Sequence, residues 1–250
     1  MMDKRISEEV HELLVEITST ITEQFKEKEL AFLSSEAKIE LTLRNKIAWK
    51  LQCALDKMYD DGLIDQHYLV RMEWTPYVKD LKAKKRKVDM AILRQDNSTN
   101  SYTQCIAMVE FKAHSLQKDE KCFIDEYKKD REKMLAFVQS KELVGNMEVR
   151  LYFILFQQLH LRPIMKYQNA FTYLKNINAC FNFKGKKEEE LNHTIELKKI
   201  KKYWQRMFES PNEDFLCFEN DLGDFFDHQS YLETVIWEVD KDSKTHKSAT

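Results

Sequence analysis

Only 4 glycines and 3 prolines punctuate 250 residues, far below ordinary usage. Gly62, Gly145, Gly185 and Gly223 lie dozens of residues apart, so no Gly-rich phosphate loop, dinucleotide fingerprint or G-x-S-x-G elbow can be written. Gly-rich sandwiches and flexible low-complexity chains are excluded with them, and long helices are favoured. Cysteine is scarce: Cys53, Cys105, Cys122, Cys180 and Cys217 are odd in number and scattered, the pattern of free thiols in a reducing compartment. Zinc chemistry lacks its spacing, because the seven histidines approach no closer in sequence than His228 to His246, and His11-Glu12 begins no H-E-x-x-H. There is no uninterrupted apolar run long enough for a signal peptide or membrane span, so a cytoplasmic location is expected. The 40 basic and 42 acidic side chains nearly cancel, which excludes a wholesale polycation.

What remains is a chain 43% hydrophobic and 33% charged, able to bury a sizeable core under a heavily charged surface. From Ile6 to about Phe25, Val10, Leu13, Leu14, Ile17, Ile21 and Phe25 keep helical spacing, with Ser7 placed to cap. A second helix is expected from about Ser35 to Asp60, striped by Ile39, Leu43, Ile47, Leu51, Leu55 and Met58 and ended by Gly62. The period then changes. Residues 66–78 and 87–93 read as strands, the polar cluster 96–101 as a turn, and 103–113 as the third strand of an antiparallel meander. A helix over about 119–139 precedes 148–156, apolar on both faces like a central strand covered from each side.

That order predicts an α/β fold in which the third and fourth strands lie parallel in a mixed sheet flanked by helices. Helices are expected over about 163–179 and 186–208, further edge strands at 214–218 and 231–239, and a polar, disordered tail at 241–250. No Pro/Gly/Ser linker divides the chain, so residues 1–240 are taken as one domain with its core at about 34–157.

Alternation along the third strand puts Glu110 and Lys112 on one face, with Ala107, Val109 and Phe111 on the other. Asp89 interrupts the apolar run of the neighbouring strand, where a hairpin would bring it beside Glu110. Two carboxylates converging in a sheet repel each other and lose hydration; a hard divalent cation removes that conflict, and Mg²⁺ takes oxygen ligands of this kind.

At these residues the chain resembles the PD-(D/E)XK nuclease superfamily, whose restriction-endonuclease-like core has the helix, three-strand meander, helix, strand order just described. The motif stands here as Asp89, then Glu110-Phe111-Lys112. Its eponymous proline is Val88, an aliphatic exchange that the family tolerates. The resemblance implies a Mg²⁺-dependent phosphodiesterase, Mn²⁺ substituting, acting on nucleic acid and on DNA in preference to RNA. Asp89, Glu110 and the backbone carbonyl of Phe111 would hold the metal, and Lys112 would orient or help deprotonate the attacking water. Members often add a glutamate from the helix before the first strand. Glu36 and Glu40 both lie there one turn apart, and Glu36, placed three and seven residues before Ile39 and Leu43, is preferred. Asp130 and Lys133 in the next helix also match the family's pattern as supporting residues.

Around this site, Lys82, Lys84, Lys85, Arg86 and Lys87 would track a phosphate backbone or form a solvated loop. The basic helix carrying Lys198, Lys199, Lys201, Lys202 and Arg206 reads as an ordinary amphipathic helix before a groove wall. His114, Glu73 and Trp74 are flanking candidates. Cutting both strands of a duplex needs two sites, which a homodimer would supply. Against the enzyme stands a nuclease-fold binding or assembly subunit without catalysis, and against both, an exposed Glu110–Lys112 ion pair worth at most about 1 kcal/mol.

Overall fold

Val10, Leu14, Ile17 and Ile21 recur at helical intervals, and all four are buried. They form the inner stripe of α1 (Met2–Thr20) and the 3-10 turn Ile21–Gln24 that continues it. The computed structural model describes residues 2–25, 29, 39–75, 87–96, 101–114, 120–139, 149–160, 215–225 and 228–239. In α2 (Ile39–Asp60) the stripe is Ile39, Leu43, Ile47, Leu51 and Leu55. Gly62 stops this helix as expected: with φ at +70° its N–H donates to the Tyr59 carbonyl at 3.0 Å, while the Leu63 N–H reaches back to Met58 at 2.8 Å. This paired closure satisfies the last carbonyls and needs a left-handed residue.

Among the described residues six strands form one mixed sheet: β1 (Tyr68–Trp74), β2 (Val88–Asp96), β3 (Ser101–His114), β4 (Arg150–His160), β5 (Phe215–Phe225) and β6 (His228–Glu238). They lie in the order β1-β2-β3-β4-β6-β5, and only β3 and β4 are parallel, with α3 (Glu120–Val138) between them in sequence. The fold is therefore α/β, with the expected order of helix, three strands, helix and strand.

β4 shows why the helices cover both faces. Every residue from Leu151 to Phe156 is buried. Tyr152, Ile154 and Phe156 join the core beneath α1 and α2, whereas Leu151, Phe153 and Leu155 join Tyr127, Met134 and Phe137 of α3. Such a strand can exist only inside a sandwich of two helical layers.

Besides Ser7, which lies inside α1 and does not cap its start, two features depart from the sequence reading. The segment expected as an edge strand at 231–239 is instead β6, an interior strand lying between β4 and β5. Val235, Ile236 and Trp237 are buried in succession, Ile236 in one layer and the other two in the opposite layer, and an edge position would leave part of that surface in water. The second is a bulge in β3. Ile92 faces Ala107 but Leu93 faces Cys105, leaving Ile106 as the extra residue. Alternation holds beyond the bulge, so Ala107, Val109 and Phe111 enter the core under α2. The helices expected over 163–179 and 186–208 and the tail 241–250 lie outside the described residues. Among the described residues no helix is long and apolar enough to cross a membrane.

Candidate functional site

The start of β2 meets the end of β3 where α2 and α3 approach the sheet from opposite sides. Met90 lies opposite Val109, and the next step of that antiparallel register sets Asp89 across from Glu110. One oxygen of Asp89 accepts the backbone N–H of Phe111 at 2.9 Å. The other accepts an N–H of Arg44, on α2, at 3.1 Å.

Arg44 is shared. Its second terminal nitrogen donates to Glu73 Oε1 at 2.6 Å, so one guanidinium bridges the edge strand β1 and its neighbour β2. Glu73 holds φ at +50°, a left-handed conformation costing roughly 1–2 kcal/mol in a residue other than glycine, and it stands across from Asp89 where the β1/β2 pairing skips a position. Four residues before Arg44 on the same helix, Glu40 accepts the Ala113 N–H at 2.7 Å. Burial, joined by the nearby charge of Asp89, pushes the Glu40 carboxyl above its ordinary range despite that hydrogen bond. Glu36 lies outside the described residues, so of the two helix glutamates Glu40 is the one placed at β3.

Toward α3, Glu110 is 2% exposed. Its close cation is Lys133 of α3, whose Nζ stands 2.6 Å from Oε1, and not its strand neighbour Lys112. Lys112 instead reaches Asp130 Oδ2 at 2.5 Å, and Asp130 Oδ1 takes Lys133 at 2.8 Å. Glu110, Lys133, Asp130 and Lys112 thus form a chain of alternating charge between β3 and α3. Burial first, then the charge of Asp89, pushes the Glu110 carboxyl up to about 8 even with Lys133 beside it. Burial alone would lower the two lysines and raise Asp130, but their mutual pairing outweighs it: Lys112 and Lys133 are held above their usual range and Asp130 below its own.

Five carboxylates (Glu40, Glu73, Asp89, Glu110, Asp130) therefore face three cations (Arg44, Lys112, Lys133), two negative charges in excess when all are ionised. Among the described residues no three His, Cys, Asp or Glu side chains form a ready cage for a metal. The donor set still suits a hard divalent cation: opposed carboxylate oxygens, one of them deeply buried, with an excess charge equal to what such an ion carries. Mg²⁺ commonly takes one or two carboxylates and keeps waters for a phosphate.

Of the basic run, Lys87 is exposed one residue before β2, and Lys82, Lys84, Lys85 and Arg86 lie outside the described residues, as does the helix of Lys198 to Arg206. His114 closes β3 opposite Gln157. Trp74 packs against the core under α3. Arg44 was missed by the sequence reading. Its available signal was position: four residues after Glu40, it shares that glutamate's helix face beside the buried Leu43 and Ile47. Comparison with protein-family models, with curated proteins and with solved structures returns no match.

Proposed function

We propose that this chain is a Mg²⁺-dependent nuclease of the PD-(D/E)XK type, hydrolysing phosphodiester bonds in nucleic acid, DNA before RNA, in the cytoplasm. The observation that carries the reading is Glu110: a carboxyl group 2% exposed, set across from Asp89, in a cluster of five carboxyl groups and three cations. A purely structural sheet gains little by burying opposed acids, whereas a divalent cation turns their repulsion into attraction. The free thiols Cys53 and Cys105 accord with a reducing compartment.

Asp89 and Glu110 would hold the metal, with the Phe111 carbonyl as the resemblance implies. When bound, a divalent ion lowers the pKa of a coordinated water and offsets charge growing on the phosphorus-centred transition state. The remaining work falls to the chain. The Phe111 N–H fixes the Asp89 carboxylate, and the Ala113 N–H fixes Glu40 two residues further along the same strand. Asp130 holds Lys112 as an ammonium, so Lys112 acts as a donor that orients water or phosphate oxygen and is not itself the base. Lys87, and the basic residues before it, would follow the phosphate backbone toward Asp89. A homodimer would supply the two sites that a double-strand cut needs.

A second reading has its own support. Asp89, Glu110 and Asp130 each already have a protein cation within 3.1 Å, a state in which the fold stands without metal. On that reading the chain is a catalytically inactive nuclease-fold subunit for nucleic-acid binding or assembly. Purified protein incubated with linear, circular and single-stranded DNA and with RNA, in Mg²⁺ or Mn²⁺ against EDTA, separates the two. Cleavage that requires metal and is lost in Asp89→Ala supports the nuclease. Nucleic-acid binding with no cleavage in either metal would leave only the binding subunit.

A further inference from the structure

Arg44 is the one cation of the cluster supplied by α2, and its placement differs from that of the two lysines. Its side chain is 13% exposed, its two terminal nitrogens are divided between Glu73 and Asp89, and its buried Nε has no hydrogen-bond partner among the described residues. The two contacts are unequal: 2.6 Å to Glu73 and 3.1 Å to Asp89. The Asp89 oxygen that Arg44 occupies is not the one that accepts the Phe111 N–H, so it is the oxygen that a departing Arg44 would free. We propose that Arg44 is an exchange residue: it neutralises Asp89 in the metal-free protein, yields that oxygen to a divalent cation while staying anchored on Glu73, and offers the freed N–H to a phosphate oxygen of the nucleic acid.

The chemistry favours such an exchange. A guanidinium fork matches carboxylate and phosphate equally well, so moving one arm between them conserves a charge-assisted hydrogen bond. Glu73 keeps the other arm in place, which limits the motion to a local rotation of the side chain. Without the exchange, Arg44 and the cation would compete for Asp89 and repel each other at close range. With it, metal and phosphate each improve the site for the other, a coupling that must be reciprocal. The inference rests on the nuclease reading and adds to it a residue outside the sequence motif.

The test measures binding, with no turnover. Full-length wild type, Arg44→Gln and Arg44→Lys are titrated with Ca²⁺ by calorimetry, and then with a fluorescent DNA oligonucleotide in Ca²⁺ and in EDTA. In wild type, Ca²⁺ tightens DNA binding by about tenfold, within the usual span of such couplings. In Arg44→Gln, Ca²⁺ alone binds several-fold more tightly because its competitor is gone, while its enhancement of DNA binding falls to about twofold. Arg44→Lys keeps the charge and the fold but cannot span two acids, so it lies between, with Ca²⁺ affinity above wild type. Ca²⁺ affinity unchanged in both variants, or a full enhancement retained in Arg44→Gln, overturns the exchange while leaving the nuclease reading intact. A wild type that binds no Ca²⁺ overturns both.

Discussion

Lys133 and Glu110 come from different elements, yet the lysine Nζ lies 2.6 Å from a glutamate oxygen that the solvent barely reaches. Even this close cation leaves Glu110 well above an ordinary carboxylate, at about 8, because burial and Asp89 act against it. The metal-free protein therefore carries at Glu110 an acid that is neutral or charged according to conditions near neutrality.

That state has a sign in stability. A carboxyl whose folded pKa lies above its unfolded value of 4.5 stabilises the fold below that value, and the contribution disappears as pH rises through about 8. Glu40, also raised, acts in the same direction. Asp130, held low, contributes above the ordinary aspartate range and loses its contribution only in stronger acid, and the raised lysines keep theirs until alkaline pH. In EDTA the melting temperature of the wild type should thus fall between pH 5 and 8, by an amount on the order of a few kcal/mol in stability. Glu110→Gln should flatten the profile. Parallel melting curves for the two proteins across that window would show that Glu110 does not titrate as its surroundings require.

The two opposed acids should respond oppositely to neutralisation. At pH 8 without metal, Glu110→Gln removes a buried charge and raises stability, while Asp89→Asn weakens a charge-assisted contact with Arg44 and costs about 1 kcal/mol. Chemical denaturation in EDTA measures both. A loss of similar size in both mutants would assign Glu110 a structural ion pair in place of a strained one.

Divalent metal should reverse part of this. Millimolar Mg²⁺ or Mn²⁺ is expected to raise the melting temperature of the wild type by preferential binding to the folded state, more at pH 8 than at pH 6, and much less in Asp89→Asn or Glu110→Gln. No shift in the wild type at either pH counts directly against a metal site.

For activity, Asp89→Ala, Glu110→Ala and Lys112→Ala should each reduce metal-dependent cleavage by at least about a hundredfold. Lys112→Ala alone should retain the metal-induced melting shift, since an ammonium donates and does not ligate. Glu40→Gln belongs in the same assay, because Glu40 meets the Ala113 N–H beside the motif. Undiminished cleavage in any one of these proteins removes that residue from the mechanism.

Gly62→Ala tests the fold away from the site. The added methyl would meet nothing within 4 Å, so the cost comes from the backbone at φ +70° alone, about 1 kcal/mol. Denaturant unfolding should show that loss with DNA binding unchanged.

The local regularities were legible in the amino-acid order. Helical stripes in α1 and α2, the stop at Gly62, the doubly apolar β4 and the shared face of Glu110 and Lys112 all follow from backbone periods of 3.6 and 2, which each segment carries within itself. The tertiary structure alone decided the partners. Lys112 follows Glu110 by two residues, yet its acid is Asp130; the cation of Glu110 comes from the next helix, and that of Asp89 from a helix 45 residues earlier. Likewise β6 lies inside the sheet, between β4 and β5, although it is the last of the described strands. Such pairings depend on strand register and on the angle at which each helix meets the sheet. Both are set by packing across the whole core, and no period within one segment records them.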